Sequence, residues 1–457
     1  MAKRLVILGA GESGVGAAIL GSKMGYDVLV SDHGAIAAET KALFHEIGVA
    51  FEEQGHSDQV YSANIAVKSP GIPERVPVVQ RLVQEGIEVI SEIEFGFRHL
   101  GGGQKVVAIT GTNGKTTTTL LTHHLMSNAG LNVALGGNIG TSFARLVAEG
   151  GYDYYVVEVS SFQLDGIVHF KPDVAILLNI TPDHLDRYNY EFKNYVRSKF
   201  RIIENLTKEE CFIYCSDDRT ISEELARYHV ESCLFAISAS KSDRAAAYMD
   251  NGHLIFNYQF KERDQFHKVP VTEIALIGKH NMINTMAAVL TSLHLDVRIE
   301  KLYKGLKTFK NIAHRLELVR VLDGIRYIND SKATNVDAVF YALEGIEQPI
   351  IWIAGGVDKG NDYTQIRELV GSKVRQLIGI GTDNAPLRMA FEGIVPITDA
   401  SSIEEAVDIA RSAAAAGDVV LLSPACASFD RFRNYEDRGD QFKAAVSELT
   451  NDEKLSV

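Results

Sequence analysis

The chain has 457 residues, 46% hydrophobic and 23% charged, with a formal charge of −13. That length exceeds a single hydrophobic core and implies two to four domains of ordinary soluble composition. The acid excess, without basic blocks, argues against a nucleic-acid partner, whose phosphate backbone needs a basic face.

The first block carries short strands at 5–8, 28–31 and 65–68 and ends near Gly101-Gly102-Gly103, a hinge. The start faintly resembles a signal peptide, but its apolar run is too short and is broken by Gly9 and Glu12. No membrane-spanning run follows, so a cytoplasmic location without membrane insertion is expected. Gly9-Ala10-Gly11-Glu12-Ser13-Gly14 lies between the first strand and a helix, and Asp32 closes the next strand 18 positions after Gly14. This is the dinucleotide fingerprint: glycines admit a pyrophosphate at a helix N-terminus, and the acid receives a ribose hydroxyl. Read alone, the loop favours a nicotinamide oxidoreductase; the bland reading is a tight β-α turn without ligand.

The second block opens on an apolar strand at 105–110, followed by Gly111-Thr112-Asn113-Gly114-Lys115-Thr116-Thr117. Backbone N–H groups there can cradle phosphates, Lys115 can neutralise the outer ones, and the Thr116 hydroxyl suits Mg²⁺. Ile109 stands at the first glycine position of the usual phosphate-loop pattern. Strands at 154–160 and 174–179 come next. Glu158 ends the first, where an acid can reach a nucleotide-bound metal. The second leads into Asn179-Ile180-Thr181-Pro182-Asp183-His184-Leu185-Asp186-Arg187. His184 alone reads as structural and Lys199 as a helix-surface lysine. A polar stretch at 205–275 has hairpin-like pieces, a helix at 281–293 closes the block, and its boundary falls near Asn311.

The third block has buried strands at 325–329, 349–354, 376–380 and 419–423, and an amphipathic helix at 402–416. The four cysteines form no C-x-x-C pair, which argues against zinc and against a disulfide scaffold. There is no low-complexity segment and no short repeat. The expected architecture is α/β in three domains: Rossmann-like at 1–102, a phosphate-loop parallel sheet at 103–311, and Rossmann-like at 312–457. Two phosphate loops on two blocks imply two phosphorylated ligands, and a dehydrogenase needs only one.

Five motifs together resemble the Mur ligases: Gly111–Thr116, Gly137-Asn138-Ile139-Gly140, Glu158-Val159-Ser160-Ser161-Phe162-Gln163-Leu164, the run from Asn179 to Arg187, and Gly278-Lys279-His280-Asn281 with Asn284. His314-Arg315, Asn329-Asp330-Ser331-Lys332-Ala333-Thr334-Asn335 and the long motif from Leu421 to Gly439 extend the resemblance over the third block, and the last is similar to the D-glutamate-adding branch. The competing readings are another Mur or folylpolyglutamate-type amide ligase, a nicotinamide oxidoreductase in which Lys115 and Thr116 have no role, and a nucleotide sensor that would not need Glu158, His184 and Lys199.

The resemblance implies ATP-dependent amide formation. ATP phosphorylates the carboxylate of UDP-N-acetylmuramoyl-L-alanine, and D-glutamate attacks the acyl phosphate. Catalysis is then positioning and charge neutralisation by Lys115, Glu158, His184, Lys199 and Lys332. Two Mg²⁺ sites are implied, one on Thr116 and Glu158 and one on His184 and Lys199. An ammonium cannot ligate a metal, so the second requires a carbamate on Lys199. ATP would meet Gly111, Thr112, Asn113, Gly114, Lys115, Thr116, Thr117, Asn281, Asn284, Arg315 and Asp330. The UDP-sugar would meet Glu12, Ser13, Asp32, Ser69, Gly71, Asn138, Ser160 and Gln163. His33 and Gly34 stand where the resemblance leads one to expect arginine or threonine. D-Glutamate would meet Thr334, Lys359, Ser428, Phe429 and Tyr435. A monomer is expected.

Overall fold

The computed structural model describes residues 2–260, 263–276, 278–310 and 313–450. Three sheets organise the chain. The first is all parallel, in the order Ala50–Glu52, Asp27–Ser31, Arg4–Leu8, Ile65–Lys68, Glu88–Ser91. The second has nine strands. Its parallel core places Lys105–Thr110 between Val174–Leu177 and Tyr154–Glu158, with Val133–Gly137 at the edge. Central parallel strands are covered on both faces, which explains why this strand is buried from Val106 to Thr110. On its other side the sheet continues through Cys211–Cys215, Cys233–Ser238 and Ala247–Asp250 to an antiparallel hairpin of His253–Phe260 and Arg263–Pro270. The third sheet has the order Glu317–Leu322, Ile325–Asn329, Val419–Leu422, Ile350–Ala354, Val374–Gly379, Ile397–Asp399, and only its first strand is antiparallel.

The first two sheets belong to one compact unit, Met1–Leu276 with His280–Phe309; the third belongs to a second unit, Lys310–Val457 with Ile277–Lys279. Asn311, where the sequence places a boundary, lies outside the described residues. Within the first unit, Glu94 ties the helix Glu92–Arg98 to the second sheet's layer. Its buried carboxylate accepts from the backbone N–H groups of Val168 (2.9 Å), His169 (3.0 Å) and Phe170 (2.7 Å).

Several strands end earlier than the hydrophobic runs suggest, each for a polar reason. Tyr154–Glu158 stops because Ser160 becomes the N-cap of Ser161–Leu164, in a reciprocal capping box with Gln163. Val174–Leu177 stops because Asn179 turns to hold the glycine loop. The helix Ile403–Ala413 starts one residue after its own cap, Ser402.

Candidate active site

The loop at 111–117 is shaped by its glycines. Gly111 and Gly114 have φ of 153° and 83°, and a Cβ on Gly114 would sit 2.5 Å from Asn284 Oδ1. Asn179 clamps the loop from the neighbouring strand: its Oδ1 accepts from Asn113 N at 2.8 Å, and its Nδ2 donates to Asn113 O at 3.0 Å. Gly114 then caps the helix Lys115–Asn128, so orphan N–H groups of the first turn are available to phosphate oxygens.

Two lysines converge on one carbonyl. Lys115 Nζ donates to Gly111 O at 2.9 Å and to Thr112 O at 2.8 Å; Lys199 Nζ donates to the same Gly111 O at 2.8 Å. Lys199 is fully buried on the helix Phe192–Phe200. Burial, then the charge of Lys115, holds its ammonium well below the usual lysine range, against the opposing pull of Asp183 and Glu158.

Glu158 closes its strand as a buried carboxylate. Oε1 accepts from Asn138 Nδ2 at 2.9 Å, while Oε2 has no hydrogen-bond partner among the described residues. Gly137 makes this approach possible, since a Cβ there would lie 2.3 Å from Glu158 O. Ser160 and Gln163 fix the following turn, and Gln163 Nε2 is also buried without a partner among the described residues. His184 has φ of 52°, half-exposed, 3.7 Å from an Asp183 oxygen and with its ring 5.2 Å from that of Phe162. An oxygen left unpaired on a fixed, buried carboxylate fits a divalent cation. Thr116 is buried on the first turn of the helix after the loop. Asn281 and Asn284 are buried and bonded to each other at 3.2 Å.

The first glycine loop is built differently. Both Asp32 oxygens are used by the backbone: Oδ2 accepts from Ala10 N and Oδ1 from Gly34 N, each at 2.7 Å. A Cβ on Gly14 would meet Gly9 O at 1.9 Å. Glu12 opens the helix Glu12–Lys23 beside Ser13 and accepts from Ser142 N at 3.0 Å. Ser69 Oγ is buried next to Gly9 without a partner among the described residues, and the carbonyls of Pro70 and Gly71 receive Arg187.

In the second unit, Asp330 and Lys332 follow the buried strand Ile325–Asn329. Asp330 accepts from Leu316 N at 3.1 Å and Ser423 Oγ at 2.8 Å; burial pushes its carboxyl up to about 6 against the charge of Arg315. Lys332 Nζ donates to Tyr435 OH at 3.2 Å. The loop carrying exposed Lys359 is zipped to the one carrying buried Ser428, through Val357 N to Ala427 O (2.8 Å) and Ala427 N to Val357 O (3.2 Å). Thr334 follows Lys332 in a tight turn, and Phe429 is 74% exposed.

Comparison with known proteins identifies this arrangement. Residues 4–77 match the MurD N-terminal domain, 109–292 the Mur ligase middle domain, and 314–426 the Mur ligase glutamate ligase domain. The chain is 48% identical to the UDP-N-acetylmuramoylalanine–D-glutamate ligase of Cytophaga hutchinsonii, over 98% of this chain and 100% of that one. It is 46% identical to the protein of that name from Bacteroides fragilis, over 98% and 100%. The chain belongs to the Mur ligase family. The fold is shared with a pseudomurein peptide ligase type C from Methanothermus fervidus, at TM-score 0.63 and 19% identity over 98% of this chain and 100% of that one.

Residue-by-residue reading of this Mur ligase missed the groups that act through others. Asn179 sits in the motif that runs to Arg187, but its grip on Asn113 needs the neighbouring strand. Arg438 is fully buried without a carboxylate among the described residues, and burial lowers its guanidinium to about 10. It donates to Ser331 Oγ (3.0 Å) and O (2.9 Å), to Cys426 O (3.2 Å) and to Gly355 O (3.5 Å), binding together the loops that carry Lys332, Ser428 and Lys359. It stands inside the motif from Leu421 to Gly439, but on a predominantly polar helix where nothing local marks it as buried.

Proposed function

We propose that the chain joins D-glutamate to UDP-N-acetylmuramoyl-L-alanine at the expense of ATP, through an acyl phosphate, as its relatives' name implies. The observation that carries the reading is the pair of lysines on Gly111 O beside a buried carboxylate with one unpaired oxygen. The alanyl carboxylate takes the terminal phosphoryl group and ADP leaves; the amine of D-glutamate attacks the acyl carbon, loses a proton and expels phosphate. Lys115 and the N–H groups of 111–117 hold the transferring phosphate, and Lys332 neutralises the acyl phosphate. Mg²⁺, held by Thr116 and Glu158, would supply charge neutralisation between the outer phosphates. Lys199 fits a carbamate: a buried amine that resists protonation can add CO₂, releasing a proton and becoming the anion a second metal needs beside His184.

In this reading 1–102 binds the UDP-sugar, 103–311 binds ATP and 312–457 binds the amino acid. Asn281 and Asn284 face adenine, Asp330 the ribose and Arg315 the phosphates. Thr334, Lys359, Ser428, Phe429 and Tyr435 take D-glutamate. The enzyme works as a cytoplasmic monomer; no described helix is long and apolar enough to cross a membrane. The test is phosphate release from ATP with UDP-N-acetylmuramoyl-L-alanine and a panel of amino acids. D-Glutamate alone should support it. Release with another amino acid and none with D-glutamate overturns the reading.

A further inference from the structure

A cavity of about 1040 Å³ opens inside the first unit, between segment 68–80 and parts of 162–230. That volume suits a nucleotide-sized metabolite. None of the residues assigned above to ATP, metal or UDP-sugar lines it.

Its charge runs against that of the chain. Five cations line it, Lys68, Arg75, Arg187, Arg197 and Arg201, against the three acids Glu74, Asp165 and Glu204, whereas the whole chain is at −13. Each acid is already engaged: Glu74 by Lys68 at 3.1 Å, Glu204 by Arg201 at 2.7 Å, Asp165 by the Tyr188 hydroxyl at 2.9 Å. Arg187 lies 4.3 Å over the Phe162 ring and, among the described residues, donates only to backbone carbonyls. Arg75 and Arg197 meet no carboxylate among the described residues. Three guanidinium groups outside ion pairs, two of them exposed, thus share the cavity with one unpaired carboxylate, Asp165, which leaves an excess of two positive charges for an anion to neutralise. The walls between them are flat: Phe162 stacks on Tyr188 (5.9 Å, 13°) and Phe200 on Tyr228 (5.3 Å, 17°).

We propose that this cavity is a second anion site, taking a small organic polyanion whose phosphate or carboxylate groups meet Arg75, Arg187 and Arg197 while its apolar part lies on the aromatic walls. The site is independent of the ligase reading and survives its failure. An occupant touching Phe162 lies one ring from His184.

The test is calorimetric titration of the full-length Lys115→Ala protein, its phosphate loop weakened, in Mg²⁺-free buffer. Pyrophosphate and citrate are the two probes. At least one should bind once per chain with Kd below ~1 mM. Pyrophosphate alone marks a phosphoester ligand and citrate alone a polycarboxylate. Adding Arg75→Gln with Arg197→Gln should weaken binding tenfold or more at unchanged Tm, and the corresponding pair of Lys substitutions should retain most of it. The site is wrong if neither probe binds, or if binding survives the Gln pair.

Discussion

The two glycine loops of the first unit share a signature and differ in what stands behind it. At 9–14 the acid Asp32 is spent on backbone N–H groups, no lysine enters the loop, and Glu12 turns to Ser142. At 111–117 two lysines meet at one carbonyl and a buried carboxylate keeps an oxygen unpaired. On the proposed reading, the first holds a phosphate that stays intact. The second has the charges to stabilise one in transfer, where a preorganised electrostatic contact is worth most. A glycine pattern therefore specifies a phosphate cradle; the charged groups behind it decide whether chemistry occurs there.

The comparison breaks most visibly at Lys199. Lys199→Ala should abolish nearly all ligation while leaving UDP-sugar binding intact, and short carboxylates such as formate should restore part of it by standing in for the carbamate. Full activity in Lys199→Arg would remove the residue from the metal site. Lys115→Ala should cost roughly 3–4 kcal/mol or more in turnover, about two to three orders of magnitude or more. Near-normal turnover by folded Lys115→Ala protein would deny the second loop its role.

Two smaller changes separate ligands. Lys359 is on neither loop, so Lys359→Ala should raise the KM for D-glutamate about ten- to a hundredfold, roughly 1.5–3 kcal/mol, and leave the other two substrates nearly unchanged. Equal losses for all three would point to a general defect instead. Gly14→Ala drives a Cβ against Gly9 O, at about 1–3 kcal/mol for the overpacked turn. It should raise the KM for the UDP-sugar and spare that for ATP; the reverse pattern would exchange the ligands of the two loops.

How much was legible follows from what each feature needs. Buried parallel strands declare themselves as apolar runs, so Arg4–Leu8, Lys105–Thr110 and Ile325–Asn329 stand within a residue of their sequence positions. Short edge strands such as Ala50–Glu52 and Ile397–Asp399 carry too few apolar residues to stand out. Lys115 and Glu158 are readable because a loop or strand end fixes them. Only the family resemblance singles out Lys199, because nothing in Val196-Arg197-Ser198-Lys199 distinguishes a buried lysine from a solvated one. Arg438 and Asn179 both stand in motifs of the family resemblance, but their roles depend on carbonyls and amides supplied by distant loops, which no local pattern encodes.

The smallest effect on activity concerns the seam between the two loops. Glu92 is fully buried; one oxygen accepts from Ala144 N, just past Ser142, and the other has no partner among the described residues. Burial pushes its carboxyl up to about 8, with the charge of Glu12 adding to the shift. In the unfolded chain the same group ionises near 4.5. Below that pH both states carry the proton and the contact costs nothing. Between about 4.5 and 8 the unfolded chain gives up its proton while the folded one retains it, so native stability falls as pH rises through this window. Glu92→Gln keeps the acceptor for Ala144 N and cannot ionise. Any fixed cost of its buried amide is the same at every pH, so the informative quantity is the slope. The Tm of the variant relative to the parent should climb by several degrees from pH 5 to pH 8, on the order of a few kcal/mol at ~1.4 kcal/mol per pH unit, with kcat altered less than twofold. Parallel Tm curves would show that Glu92 is charged in the folded protein. A large fall in kcat would show that this seam, and not the charges behind each loop, sets the difference between them.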